Sequence, residues 1–541
     1  MKKRFSLKKA KPVSTVLGIF FLFPALGQSP QDFDDHFFQP KNLGMSSPQT
    51  SEFVRYRNLN VNYYNGLLDM TIPLGGYKDK DFDLPLSIKY VSTGFIPAKR
   101  PGLVGHNWFL NFGGVITRQV NGSPDDLEGF YTKSEVKRYM KEGVLPALRD
   151  NIFKVYTEQD LLNFRVDFNA EGTYHPYASG DLRYDFEPDI FTFSFGSHTG
   201  SFLIGNDGKV KSLSGDNRYK IDISGLAVQP YSTDAFPGSS KIVITTPDGF
   251  VYEFGGTLEC LEYFTPNNPR HSYIRPRYIT SWYLKRITAP NQRTAEFTYV
   301  PQLQPFRYTT FLYSWNGGTV RSIYDCPYSN YNGTSSFGDE PTAEYMPMLD
   351  KIAVPIIWSV EISGDYELKF FNSERSRFYD SDDPASRCLT RIDHYSMGNK
   401  IKGLKFEYMD KGSYFFLSRL TDNEGGEYRF EYNLPASVTL PSPLTYSIDH
   451  WGYWSGGNLT QMTDTKGYCF NIEQNRQVNP QYSSVTLLSK ITYPAGGSSE
   501  ITYEPNSYGV YHQLDNQAFG YKASETVESS VVAGGARVKA I

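Results

Sequence analysis

Eight histidines, four cysteines and a few clusters of carboxylates and aromatic rings are the residues of this 541-residue chain that could do chemistry. Imidazole is the side chain that moves protons or ligates metal near neutral pH. His36, His106, His175, His198, His271, His394, His450 and His512 are scattered singly, with no His-x-x-x-His or His-x-His spacing that sets two rings on one ion. A Gly-x-Ser-x-Gly elbow, a phosphate-cradling loop and a Cys-x-x-Cys pair are also absent. The sequence therefore marks no catalytic residue, no cofactor site and no metal site, and a non-enzymatic protein is expected.

Two constellations remain. Asp181, Asp185, Glu187 and Asp189 alternate along one stretch and could offer oxygen ligands to Ca²⁺, but a solvated strand edge is the simpler account, and Pro188 suits an edge. Trp451, Tyr453 and Trp454, next to His450, could stack on a sugar ring as a low-specificity ligand-binding set. Packing between hairpins explains the same residues more simply, because Tyr-rich sheets need aromatic plugs. The cysteines, Cys260, Cys326, Cys388 and Cys469, lie far apart in the second half. They allow two disulfides in three connectivities or four buried thiols.

The elements that position these residues come from a repeated pattern. Leu284–Tyr299, Leu417–Tyr432 and Leu488–Tyr503 align without a gap, and a longer-looped copy opens at Leu389-Thr-Arg-Ile392 and closes at Leu404–Tyr408. Each copy reads as two short strands around a turn rich in Gly, Pro or Asn, the sequence form of a β-hairpin. Side chains alternate faces along a strand. Ile287, Phe297 and Tyr299, Leu420, Phe430 and Tyr432, and Ile491, Ile501 and Tyr503 then share one apolar face. Arg286, Arg419 or Lys490 and Glu296 or Glu500 take the other. A single hairpin is marginal, so the copies must stack. Their starts at 284, 389, 417 and 488 follow no fixed period, which implies an irregular array.

Upstream, Leu68–Leu74, Leu84–Tyr90, Asp189–Phe195, Gly200–Ile204 and the hairpin Lys241–Phe254 show strand alternation. The expected fold is mainly β: an antiparallel β-sheet domain, then an irregular array of hairpins forming an open shell or curved sheet, with a minor helical insertion near 133–164. Residues 1–27 carry a basic start and a short apolar run and read as a signal peptide; 28–52 form an extended lead-in, 53–256 the N-terminal β domain, and 257–541 the hairpin array. Removal of the signal takes six basic residues and leaves 48 basic against 58 acidic side chains, net −10, which argues against a nucleic-acid partner. Export to the extracellular space or outer cell surface is expected, with no stable membrane span once the signal is gone.

The order Leu84-Pro-Leu-Ser-Ile-Lys-Tyr90, then Gly102, Leu103, Gly105, Trp108, Leu110, Asn111, Gly113, Gly114, Ile116, Thr117 and Arg118, resembles the N-terminal region of secreted RHS/YD-repeat proteins of the Bacteroidetes type. His106 departs from the small residue usual there. The resemblance spans roughly 53–541. It implies hairpins that wind into a hollow shell, which in some relatives encloses a C-terminal toxin freed by self-cleavage. The cleavage signature Asp-Pro-x-Gly is absent here. The resemblance thus implies a structural role, with a C-terminal cargo or the remainder of the shell as partner; a surface glycan is the alternative partner. Val538-Lys-Ala-Ile541 has the form of a repeat opener, so these residues are expected to be poorly ordered or paired with an earlier hairpin.

Overall fold

Alternating apolar side chains recur along the described residues, and these fold mostly as strands. The computed structural model describes residues 59–62, 64–121, 124–126, 188–205, 208–214, 218–227, 238–265, 277–312, 346–379, 385–445, 447–449, 451–457, 478–514 and 523–541. The expected signal peptide, lead-in and helical insertion lie outside them, as do Asp181, Asp185, Glu187, His450, Cys326 and Cys469. Asn58–Ile541 group into one compact unit. Among the described residues the only helical pieces are single 3₁₀ turns, Leu258–Cys260 and Pro480–Tyr482.

A small antiparallel sheet comes first: β1 (Leu59–Val61), β2 (Leu68–Lys78), β3 (Asp83–Val91) and β4 (Trp108–Asn111), in sequence order. Leu68, Met70, Ile72 and Leu74 of β2 are buried and the residues between them are not. The alternation stops at a bulge opposite Leu86, where Gly76 adopts φ 127° and a Cβ would sit 2.2 Å from the Leu84 carbonyl oxygen. Only glycine fits there.

The large sheet follows. Its first strands are β5 (Gly114–Gln119), β6 (Ile190–Phe195), β7 (His198–Ile204), β8 (Val210–Ser212), β9 (Lys220–Asp222), β10 (Lys241–Thr245), β11 (Val251–Gly255), β12 (Leu261–Thr265) and β13 (Tyr278–Thr288). The hub is β13, which pairs with β5, β11, β12 and the strand after it. The hairpin array then runs as β14 (Thr294–Leu312), β15 (Met346–Ile362), β16 (Tyr366–Glu374), β17 (Arg387–Ser396), β18 (Asn399–Lys411), β19 (Tyr414–Asp422), β20 (Glu427–Tyr432), β21 (Leu488–Thr492) and β22 (Ser498–Glu500), each paired antiparallel with the next. Where β12 bridges β13 and β15, the ladder closes on itself. The mainly β fold, a small antiparallel sheet followed by a large one, is as expected.

Last come β23 (Thr502–Leu514) and β24 (Ala523–Ala540), a separate two-stranded sheet. Within it Val538 pairs with Tyr503, so the opener at the end of the sequence meets the return strand of the preceding copy. Two further sequence expectations are resolved here. Cys260 and Cys388 are buried free thiols. Asp189 does not lie on a solvated edge: it is fully buried, for a reason that its distant partner Arg118 supplies.

Candidate functional site: locks, aromatic turn and polar groove

The repeat carries one bond that recurs at the same place. In each copy the closing tyrosine turns inward and its hydroxyl donates to the carbonyl oxygen of the opening residue: Tyr299 to Leu284 at 2.8 Å, Tyr408 to Leu389 at 2.5 Å, Tyr432 to Leu417 at 2.6 Å and Tyr503 to Leu488 at 2.8 Å. Burial pushes all four phenols up, so they remain neutral donors. The carbonyl is available because the second position of each copy is the extra residue of a β-bulge. Lys285, Thr390, Ser418 and Ser489 are each skipped in the pairing with the strand before.

The bulge identifies a copy that the sequence hides. Ile357–Asn372 has the same length, the same pairing of third and thirteenth positions, Ser359 with Lys369, and the same bulge at its second residue, Trp358. Asn372 stands where the tyrosine should be, and its Nδ2 donates to the Ile357 carbonyl at 3.4 Å. At the end of the chain Tyr503 pairs with Val538 across a skipped Lys539, the junction geometry of every other copy.

The inner face of the repeats is covered by the small sheet. Tyr90 Oη accepts the Leu488 backbone N–H at 2.9 Å, and Trp108 Nε1 donates to Tyr432 Oη at 2.8 Å. His106 N–H donates to the Phe415 carbonyl. Its ring sits in a box of Phe95, Tyr414 and Phe416 with neither ring nitrogen hydrogen-bonded. Burial, aided by the nearby Lys99 charge, holds this imidazole down at about 3, so it is neutral.

Beside β5 lies a buried ionic knot. Arg118 Nη1 is 2.7 Å from Asp126 Oδ1 and 3.6 Å from Asp189 Oδ2, with all three side chains fully buried. Its guanidinium also lies over the Trp282 ring at 5.3 Å and donates to the Ile279 carbonyl. Asp125 and Asp189 exchange bonds, each backbone N–H meeting the other carboxylate at 2.9 and 3.0 Å. Burial pulls the Asp189 carboxyl up against the attraction of Arg118. Burial would likewise lower the Arg118 guanidinium, but Asp126 and Asp189 outweigh it and raise it. A charge pair this dry holds because both Arg118 Nη groups and the carboxylates of Asp126 and Asp189 are engaged, with Arg118 Nε left without a hydrogen bond. Its chemistry is that of a tie. Among the described residues no three His, Cys, Asp or Glu side chains converge to hold a metal.

The three aromatic residues singled out from the sequence separate in space. Trp454 is buried, packs on Phe95 and Tyr482, and donates Nε1–H to the Gly457 carbonyl at 2.8 Å. Tyr453 lies against Gly94 and the Gly534–Gly535 pair of β24. Trp451 is 49% exposed and faces Tyr508 with ring centroids 6.4 Å apart. Asp449 holds the turn by accepting the backbone N–H groups of Trp451 and Tyr453, both at 2.9 Å.

On the polar face of β17–β20 runs a groove of about 600 Å³, lined in part by Arg391, Lys405, Glu407, Arg419, Asp422 and Glu427. Its charges are matched. Arg391 and Lys400 meet the buried Asp393 at 2.9 and 2.7 Å, Lys405 meets Glu407 at 2.6 Å, and Arg419 lies 3.6 and 3.7 Å from Glu407 and Glu427. The Asp422 carboxylate accepts the backbone N–H groups of Glu424 and Gly426. Sequence reading missed this groove and the lock. The signal for the lock was present as a Leu-to-Tyr spacing of constant length; the groove left none, because it joins two copies.

No family model matches the chain, and no curated protein matches it. Among solved structures it is similar to the TcdB2-TccC3 complex, with 10% identity and a TM-score of 0.30 over 68% of this chain and 16% of that one. A Tc holotoxin pore of Photorhabdus luminescens gives 11%, 0.31, 68% and 16%. The N-terminal domain of effector protein SpvB from Salmonella typhimurium strain LT2 gives 12% and 0.27, over 65% of this chain and 98% of that one. The chain thus spans 16% of the length of the first two, and TM-scores at or below 0.31 assign it neither family nor activity. No helix among the described residues is long and apolar enough to cross a membrane.

Proposed function

We propose that this protein is a secreted, non-enzymatic scaffold, the N-terminal part of an RHS/YD-repeat shell that encloses or presents a C-terminal effector. The observation that supports the reading is the uninterrupted run of locked hairpins, each joined to the next through a bulge. Such a run makes a wall whose inner side chains are consumed by packing and whose reactive groups do not converge. Export by the 1–27 signal is part of this reading, as is the absence of turnover. The test has two parts. N-terminal sequencing of protein recovered from culture medium is expected to begin at Gln28. Chemical crosslinking of the native secreted protein is expected to join lysines of the hairpin array to an effector polypeptide, and crosslinks confined to this chain would overturn the shell reading.

One observation favours a surface glycan-binding reading: Trp451 is half exposed beside Tyr508, an arrangement suited to stacking on a sugar face. Loss of saturable glycan binding in Trp451→Ala would establish it.

A further inference from the structure

The second position of each copy faces the polar side of the sheet, since the opening and fourth residues on either side of it, such as Leu417 and Leu420, are both buried. It is Lys285, Thr390, Ser418 and Ser489 in four copies. In the hidden copy it is Trp358, 48% exposed. Nothing in the packing of β15 calls for an indole there, because the neighbours that need an apolar partner, Ile357 and Val360, point inward and are buried.

The polar face continues beyond Trp358 onto the next strand. Phe371 of β16 faces the same way, opposite in direction to the buried Phe370, and carries the Arg391 guanidinium over its ring at 4.0 Å. Arg391 pairs with Lys405, Lys405 with Thr421 and Thr421 with Glu427. With adjacent strands about 4.8 Å apart, the groove begins roughly 10 Å from Trp358. An exposed indole, an Arg-capped phenyl ring and a groove of about 600 Å³ therefore lie on one face across the six strands β15–β20.

We propose that this face is a binding site for a neutral oligosaccharide, with Trp358 stacking on the apolar face of one sugar ring and the groove taking the hydroxyls of the following ones. Three features select that ligand. The groove is nearly charge-balanced, each basic side chain that lines it meeting a carboxylate, so neither a polyanion nor a polycation gains a field to follow. The pairs of Glu407 with Lys405 and Arg419 face solvent and place donors beside acceptors, which matches vicinal hydroxyl groups that both give and take hydrogen bonds. The aromatic residue stands at the end, where a ring with an apolar face and a polar rim gains most from stacking. The site is distinct from Trp451 and rests on neither reading given above.

The test is affinity electrophoresis of the full chain in gels containing a neutral β-glucan, a galactomannan or a xylan, with polygalacturonate as the acidic control. Retardation by at least one neutral polymer is expected, weakened roughly tenfold in Trp358→Ala and in Arg391→Ala. Trp358→Phe should keep most of the retardation. Thermal melting of each variant separates lost binding from lost folding. No retardation by any neutral polymer, retardation by polygalacturonate alone, or full retention in a folded Trp358→Ala protein overturns the proposal.

Discussion

A tyrosine hydroxyl buried on the inner face of the array costs several kcal/mol to dehydrate unless it finds a partner, and the bulge at the start of each copy supplies one. Tyr432 is the most committed of the set: it donates to Leu417 and accepts from Trp108. Tyr432→Phe leaves a buried carbonyl and a buried indole N–H unpaired, so a loss of about 2–4 kcal/mol is expected in urea unfolding. Tyr503→Phe breaks only the bond to Leu488 and should cost about 1 kcal/mol. Equal losses would mean that the Trp108 bond is not made. His106 supplies a second residue-scale expectation. Its folded pKa of about 3 lies below the ordinary 6.5, so its contribution is intact above pH 6.5 and declines as pH falls towards 3. Between pH 7 and 5 the decline is about 2 kcal/mol. Thermal melts of His106→Phe should show a correspondingly flatter response over that interval. Lys99 faces the same ring, while the buried Asp189, raised by burial, runs the other way, losing stability as pH rises above the ordinary carboxylate range. Both are common to the two proteins and cancel in the difference.

At the scale of elements, parity gave the right faces. Ile287, Phe297, Leu420, Phe430, Ile491 and Ile501 are all buried, and the opposite face carries the Arg286–Glu296 and Lys490–Glu500 pairs, each at 2.9 Å. Parity also held a warning that went unread. The first and fourth residues of each copy are both apolar and both buried, yet strict alternation puts positions three apart on opposite faces. Only an inserted residue reconciles them. The hidden copy escaped because Asn372 replaces the tyrosine and nothing else in its sequence is diagnostic. Asp189 was misjudged because Arg118 is far away in sequence, and an isolated acidic run looks solvated. Deleting Ser418 leaves Leu417 opposite Tyr408 and Arg419 opposite Glu407, so the faces are kept, but the Leu417 carbonyl returns to the regular ladder and Tyr432 loses its acceptor. A loss of about 1–3 kcal/mol in urea unfolding is expected. Unchanged stability would show that the lock is dispensable.

For the whole molecule, the small sheet is the lid on the apolar wall. Besides Tyr90, His106 and Trp108, the Arg293 guanidinium at a repeat turn grips Asp79 and Asp81 and lies over Phe82, and the Trp454 N–H donates to the Phe95 carbonyl at 3.0 Å. These cross-contacts reach the copies that open at Leu284, Leu417 and Leu488. Residues 257–541 expressed alone should therefore expose Phe416, Phe430 and Leu488, bind a hydrophobic dye and fail to unfold cooperatively. Cooperative unfolding of that fragment would mean that the hairpins sustain themselves. The strands on either side of residue 256 belong to one sheet, β11 pairing with β13, and the dependence of the array on the small sheet was not legible in the sequence. It rests on side chains hundreds of positions apart, such as Tyr90 and Leu488, which no local signal connects.

The lock also decides where the chain can lengthen. Within the copies the span from opener to tyrosine is held at one length in all but Leu389–Tyr408, while the stretches between copies, 300–356, 373–388, 409–416, 433–487 and 504–537, differ widely. In a row of antiparallel hairpins the turns inside the copies emerge along one border and the connections between copies along the other. The wall accordingly has a trimmed border and an overgrown one. The long hairpins β14–β15 and β23–β24 and the Trp451 turn all spring from the second. Apart from the longer turn of Leu389–Tyr408, the extra length of the array thus lies along a single margin, which is where added residues would least disturb the locked wall.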